Sequence, residues 1–388
     1  MNRDISAIIG ARVIRNFAAG FLNVSVSLYL IEVLKYSYLT IGVVFGVASL
    51  ASPLLTLLFG VTGDMFGRKP TLVIGNALLA LSCLLLLVSK QYYAIIGASV
   101  LGSFGLAGGT VGGGVGSYLA PMQNALLAEK APPSKRTTVY SYTSLAGGVA
   151  ASAGALLTNL PDFRILFSLG LLLSSGATLI TLIISESHTR QKINLRKLQS
   201  GKAITKFSIT GILNGFGQGL VTPFFPILFH SLFGVSNGVV GDAMSAGTLV
   251  SSLSLSLTPT LVKRLGFVKM IVLSRGISTA LLVIFPFTPL FYLAVTEYVC
   301  MTSTRMMALP AQQSLMMSMV SESERGSATA VNQASRLLPS SAATFLTGFS
   351  LDGYPIEVPF IIAVPVNLAN LVLYKKFFSD DQKKLETG

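Results

Sequence analysis

Hydrophobic positions along this chain come in long apolar runs separated by short polar segments, and within the runs apolar and polar residues do not alternate. A helix needs about 20 apolar residues to cross a hydrocarbon core of about 30 Å. Twelve such runs can be laid down, at residues 5–31, 39–61, 70–88, 95–128, 138–157, 163–184, 204–230, 237–261, 268–285, 290–317, 328–348 and 358–374. A membrane β-barrel would show short alternating segments. Outside closed barrels only helices satisfy their own backbone in lipid. The pattern therefore predicts an all-α membrane protein with twelve transmembrane helices.

Composition agrees. Of 388 residues, 52% are hydrophobic and 11% charged, and the mean hydropathy is +0.69. The net charge of +13 would fit a nucleic-acid partner, but its distribution excludes one and points to lipid. With both termini inside, about 20 of the 28 Lys and Arg fall in cytoplasmic segments and 3 (Lys35, Lys90, Arg164) in outer loops, an asymmetry that sets orientation. The N- and C-termini are therefore expected to be cytoplasmic, in the cell membrane. The first run is too long for a signal peptide and lacks a small-residue cleavage site, so it is read as a span. Cys83 and Cys300 lie inside predicted spans, and His188 and His230 sit far apart at span ends. Neither a disulfide framework nor a metal site is expected, and no cofactor.

The chain repeats itself. An offset of 189 residues carries Pro121 onto Pro310, Gln123 onto Gln312, Leu126 onto Leu315, Ser134 onto Ser323 and Arg136 onto Arg325. An offset of 199 carries Gly67 of "DMFGRKP" onto Gly266 of "KRLGFVK". Two pseudo-symmetric six-helix bundles follow: residues 1–186, a basic cytoplasmic linker at 187–206 near anionic lipid, and residues 207–388 with a short tail. The difference between the offsets places about ten additional residues in the first half, where "GSFGLAGGTVGGGVGS" occupies residues 102–117. This is not a nucleotide loop, because no Lys occurs between Lys90 and Lys130 and no strand precedes it. The fourth run would be about 51 Å long as one straight helix, so a break or bend is expected near Gly108–Gly114, followed by continuous helix from Pro121 to Ala128.

Between runs two and three stands "GVTGDMFGRKP", in which Gly60, Asp64, Gly67, Arg68 and Lys69 follow G-x-x-x-D-x-x-G-R-K. This resembles the signature loop of the major facilitator superfamily (MFS), with Met65 where a basic residue is usual. The resemblance covers the whole chain: twelve spans, two halves, a basic central linker and a weaker echo of the loop after span eight. It implies the MFS fold and a secondary transporter working by alternating access, usually as a monomer. The loop is then a gate that latches the halves on the cytoplasmic side. Its glycines suit close helix approach and a tight turn, and Asp64 is placed to pair with Arg136 or Arg68.

In that fold spans one, four, seven and ten line a central cavity, with two, five, eight and eleven as walls. Ionisable and polar groups inside those spans are the site candidates. Span one carries a stripe of Arg12, Arg15, Asn16 and Asn23, of which Arg12 is near enough to the cytoplasm to be structural and Arg15 and Asn16 are the cavity candidates. Span seven adds Asn214 and Gln218 within "NGFGQGLVTPFFP", whose glycines and prolines predict a helix that bends; span ten adds Glu297 and Arg305; span eleven adds Asn332, Gln333 and Arg336. The amides are equally suited to gluing helices together. Glu297, the one deep acid, is the leading proton-coupling candidate or else half of a structural bridge to an arginine; Asp242, near the outer end of span eight, is the reserve. The excess of Arg15, Arg305 and Arg336 over acids favours an anionic solute, whereas Phe216, Phe224, Phe225, Met301, Met306 and Met307 suit a bulky apolar one.

Two further features of the superfamily's drug antiporters are missing: span five reads "GGVAASAG" without a Gly-Pro pair, and span four lacks an Arg. No catalytic constellation occurs. The expectation is a transporter of a small organic solute, an exporter with the proton as candidate coupling ion. The alternative is an uptake permease or uniporter for an organic anion, with a non-transporting receptor on the same fold last.

Overall fold

The described part of each apolar run contains helix, several of the runs in two pieces. The computed structural model describes residues 3–105, 115–130, 136–185, 200–321 and 325–387. In the first half these form α1 (Arg3–Glu32), α2 (Tyr38–Phe66), α3 (Arg68–Val88), α4 (Tyr92–Gly102), α5 (Ala120–Lys130), α6 (Arg136–Ala155) and α7 (Phe163–Leu182). In the second half they form α8 (Gly201–Gly219), α9 (Phe225–Phe233), α10 (Asn237–Ser254), α11 (Thr258–Leu265), α12 (Phe267–Ile284), α13 (Phe291–Met319), α14 (Arg325–Gly353) and α15 (Val358–Thr387). No strand occurs among the described residues.

Local chemistry sets the ends. Ser37 accepts from the Thr40 N–H to cap α2, and Asp162 accepts from the Arg164 N–H at 2.8 Å to cap α7, each satisfying an orphan donor of the first turn. Gly67 ends α2 and opens α3 with φ 110°, and Gly266 does the same between α11 and α12 with φ 77°. Both donate their N–H to the carbonyl four residues back, Gly63 and Val262, at 3.1 and 2.8 Å. A Cβ is strained at such φ, so the two positions joined by the 199-residue offset perform the same turn. The linker expected to run to residue 206 is already helical from Gly201, so Lys202 and Lys206 belong to the first turns of α8. Residues 186–199 lie outside the described part.

Packing obeys the repeat. In the first half α1 packs on α6 and α7, and α3 on α4 and α7; in the second α8 packs on α14 and α15, and α12 on α13 and α15. Small residues let these helices approach closely: a Cβ on Gly154 of α6 would collide with the Phe17 carbonyl of α1, and one on Gly215 of α8 with the Arg336 carbonyl of α14. The largest contacts between the halves are α2 with α14 and α6 with α10, which a two-fold exchange of the halves maps onto each other; α1 also touches α9 and α10.

Seven helical segments among the described residues are long and apolar enough to cross a membrane on length and composition alone. Helices α6, α10, α13 and α14 are not among them. Three of these, α6, α10 and α14, make the contacts between the halves. Several of their polar side chains are buried in protein, Ser152, Ser245, Thr344 and Thr347 among them, so the helices need less hydrocarbon character.

The two glycine-rich predictions have different outcomes. In span seven the helix breaks as expected: α8 stops at Gly219, a 3-10 turn spans Thr222–Phe224, and α9 starts at Phe225. In span four α4 already ends at Gly102, with Ser103 left-handed at φ 55°, and helix resumes through Ser117–Leu119 into α5, which contains the expected stretch from Pro121 to Ala128. The Gly116 N–H donates to the Gly102 carbonyl at 3.0 Å, so the chain rejoins where it left. The expected break at Gly108–Gly114 lies outside the described residues. In the second half the related helix α13 is continuous through Pro310.

Candidate substrate cavity and its arginines

The end of the molecule that carries the turns after Glu32, Asn159, Phe233 and Gly353 is the upper end; the Gly67 and Gly266 turns lie at the lower end. Side-chain contacts between the halves gather toward the upper end. Ser152 of α6 and Ser245 of α10 each donate a hydroxyl proton to the other residue's carbonyl, at 3.0 and 2.9 Å, with the two hydroxyl oxygens 2.9 Å apart. Asn159 donates to Asp242 at 3.0 Å, Asn237 donates to Glu32 at 2.7 Å, and His230 lies 3.3 Å from Glu32. The Tyr38 N–H donates to Asp352 at 3.0 Å and the Tyr38 hydroxyl to Ser231 at 3.1 Å. Gly42 of α2 and Gly348 of α14 touch backbone to backbone, with no room for a Cβ on either.

Inside the first half Arg15 is 3% exposed. Its Nη2 donates to Gln123 Oε1 on α5 at 2.7 Å, while Nε and Nη1 have no partner among the described residues. Arg12, the residue expected to be structural, donates to Asn124 Oδ1 at 3.0 Å. Consecutive amides on α5 thus take Arg12 and Arg15 of α1. Asn16 lies against Gly147 of α6, so the glycines of "GGVAASAG" serve as the seat of α1.

In the second half the centre is Arg275 of α12, a residue the sequence reading passed over because span nine is not a cavity helix in the resembling fold. It is 6% exposed. Its Nη1 donates to Asn370 Oδ1 on α15 at 2.9 Å, its Nη2 to Gln312 Oε1 on α13, and its guanidinium stacks over the Tyr374 ring, 5.2 Å from the centroid. Two signals were available: a lone Arg in an apolar run, and its place 199 residues after Asn76. Arg305 and Arg336 lie close enough to Arg275 for the like charges to repel. Neither makes a hydrogen bond or ion pair that neutralises it among the described residues, and Arg336 Nε is buried without a partner.

The remaining candidates disperse. Gln218 donates to Asn214 Oδ1 at 3.3 Å, leaving Asn214 Nδ2 buried and unpaired. Asn332 donates to the Phe207 carbonyl at 3.1 Å, which ties α14 to α8. Gln333 is half-buried nearby on α14. Glu297 is buried, but its carboxylate accepts from Thr288 Oγ1 at 3.0 and 2.9 Å. Eight residues along α13 separate it from Arg305, about 12 Å of helix rise, and no ion pair joins it to an arginine among the described residues. Asp242 is exposed and belongs to the upper contact between halves.

The signature loop is partly described. Gly67 makes the expected turn. Gly60 is not a point of close approach, since nothing lies within 4 Å of a Cβ there; Gly63, one turn on, meets Met122. Arg68 and Lys69 open α3, and Arg136 opens α6. The side chains of Asp64 and Arg136 lie outside the described part, and their expected pairing with them.

Helix packing that repeats between two halves, with buried arginines in each, points to a membrane transporter. The model of the Major Facilitator Superfamily matches residues 8–207 and again residues 207–387, and the chain belongs to that family. It is a transporter, not an enzyme, and a multi-pass protein of the cell membrane. The multidrug resistance protein MdtH of Proteus mirabilis (strain HI4320) is 23% identical over 393 residues, covering 94% of this chain and 91% of that protein. Among solved structures, a variant of the nucleoside transporter NupG superposes with a TM-score of 0.80 at 14% identity, over 97% of this chain and 100% of that one. The human organic anion transporter MFSD10 (TETRAN) gives 0.67 at 13% identity, over 96% and 99%. These likenesses show the fold alone.

Proposed function

We propose that the chain spans the membrane twelve times as two six-helix bundles, 1–186 and 207–388, with both termini and the lower end in the cytoplasm. It exports a small organic solute by alternating access. The observation that carries this reading is the gathering of contacts between the halves at the upper end. Such a closure is a state of a cycle, since serine pairs, single carboxylate bonds and a glycine contact are each weak enough to break and re-form. In this reading the lower end, where the basic residues point the chain to the cytoplasm, is the open side. The likeness to MdtH supports export. The guanidiniums of Arg15, Arg305 and Arg336, none of which meets a carboxylate among the described residues, support a solute with a carboxylate or phosphate group.

The test is flux in proteoliposomes. In a background lacking Cys83 and Cys300, oxidation of a Ser152→Cys, Ser245→Cys pair is expected to stop flux at least 10-fold, with recovery on reduction. Undiminished flux in the fully cross-linked protein would sink alternating access through this closure. Proton coupling is tested on the same vesicles: an imposed pH gradient is expected to drive flux in the parent and to lose its effect in Glu297→Gln. If the gradient leaves flux in the parent unchanged, transport is not proton-coupled.

A further inference from the structure

Where the halves meet at the upper end, one carboxylate of the first half is held by two groups of the second. Glu32 ends α1; its Oε2 accepts from the Asn237 amide at 2.7 Å, and its Oε1 lies 3.3 Å from His230 Nε2. His230 stands in the last turn of α9, and Asn237 opens α10. The turn between them aims the ring. Gly234 takes φ 62° and donates to the His230 carbonyl at 2.9 Å, and the Val235 carbonyl lies 3.0 Å from His230 Nδ1.

These two partners define the protonation the ring needs. A carbonyl oxygen and a carboxylate only accept. Nδ1 therefore carries a proton to bond Val235, and Nε2 carries one to bond Glu32. A neutral ring has a single N–H and leaves a lone pair against one of the two oxygens, whereas the imidazolium satisfies both. The titratable groups nearby have other partners or face water. Helix α9 packs on α1 and α10. On α10, Asp242 is taken by Asn159; beyond α1, Lys35 is exposed. Tyr29 packs on Phe163 and Phe167, and Tyr36 on Tyr92. From α2 the Tyr38 hydroxyl reaches Ser231, next to His230, and Asp352 of α14 accepts the Tyr38 N–H.

We propose that His230 and Glu32 form a proton-operated latch, in which an external proton on His230 holds the halves together at the upper end. The latch rests on the reading that this end opens and closes during transport. Glu32 rewards the proton only while the halves are together, so the closed state gains population as the external pH falls and loses it as the pH rises past the histidine range, about 6.5 in water. The pair meets the same outer water whenever the end opens. Its proton is returned to the side it came from, so the latch regulates the cycle and carries no proton across, unlike the coupling role given to Glu297.

The experiment uses the full-length protein in nanodiscs, where both faces share one pH, with Cys83→Ser and Cys300→Ser and spin labels on Tyr93→Cys and Tyr292→Cys. These tyrosines stand at the upper end, one in each half, and each is 84% exposed. Double electron–electron resonance is expected to give a short and a long distance. From about pH 8.5 to about pH 5.5 the ratio of short to long is expected to rise about 3-fold, the size a half-exposed ion pair supports. His230→Gln and Glu32→Gln are each expected to abolish that rise, and Glu297→Gln to keep it. Should His230→Gln not fold, Glu32→Gln carries the test, since it removes the anion and leaves the ring. Two distances whose ratio ignores pH overturn the latch and leave alternating access standing. A pH response that survives both His230→Gln and Glu32→Gln, or that Glu297→Gln removes, also overturns it and assigns the proton to another site. Failure of the transport reading shows differently, as a single distance at every pH, and takes the latch with it.

Discussion

Asn76 of α3 reaches Thr181 of α7 with a neutral hydrogen bond of 3.1 Å. In the second half the position related by the 199-residue offset is Arg275 of α12, and it reaches Asn370 of α15, which lies 189 residues after Thr181. The repeat thus preserves a polar tie between the third and sixth helices of each bundle while changing a neutral pair into a charged one. The fourth helices differ in a parallel way. Gln123 accepts from Arg15 of α1 in the first half, whereas its mate Gln312 accepts from Arg275 of α12 in the second. Each bundle keeps one glutamine for one buried arginine, but the arginine comes from a different helix. The second bundle then adds Arg305 and Arg336 without an acid that pairs with either among the described residues. Duplicated packing fixes where polar groups are tolerated, and the charge placed there is free to diverge.

The largest effect should separate the two ties. Arg275→Leu strands Gln312 and Asn370 and removes the contact with Tyr374; with each buried unpaired acceptor costing about 1–3 kcal/mol, loss of monodisperse folded protein or a Tm drop of several degrees is expected. Asn76→Leu removes one neutral bond and should cost about 1 kcal/mol. Equal losses in the two variants would break the comparison.

The shared part should behave alike. Gly154→Ala and Gly215→Ala each drive a Cβ into a facing carbonyl, and each is expected to destabilise by about 1–3 kcal/mol, read from paired melting curves. A large difference between them would show that the α1–α6 and α8–α14 crossings are not equivalent. A smaller effect is expected at the turn glycines: Gly67→Ala and Gly266→Ala should each cost about 1–2 kcal/mol through strain at positive φ. Gly60→Ala should lie within about 0.5 kcal/mol of the parent, because its Cβ meets nothing. A Gly60→Ala cost as large as that of Gly67→Ala would mean that the glycine acts in another state of the cycle.

Legibility from sequence followed the range of the interaction. The Gly67 and Gly266 turns, the break after Gly219 and the helix from Pro121 were readable because φ, proline and capping act over a few residues. Arg15 was found as a polar residue in an apolar run, but its partner Gln123, 108 positions away, was not. Arg275 was missed for a related reason: its helix was assigned to the outside of the fold, and only its contacts with α13 and α15 reveal that it faces inward. Glu297 is buried as its position suggests, but its partner Thr288, from the preceding turn, was not legible in the sequence pattern.

Hydropathy, repeat and signature loop by themselves determined the class of protein, its helical make-up, its two related halves and its family, because these are properties of composition and of spacing along one chain. Which arginine meets which amide, which end the halves close, and where positive charge accumulates without a counter-charge were decided only by the tertiary structure. A helix turns about 100° per residue, so a small rotation set by packing on distant helices exchanges a lipid-facing position for a buried one, and no local pattern records that rotation.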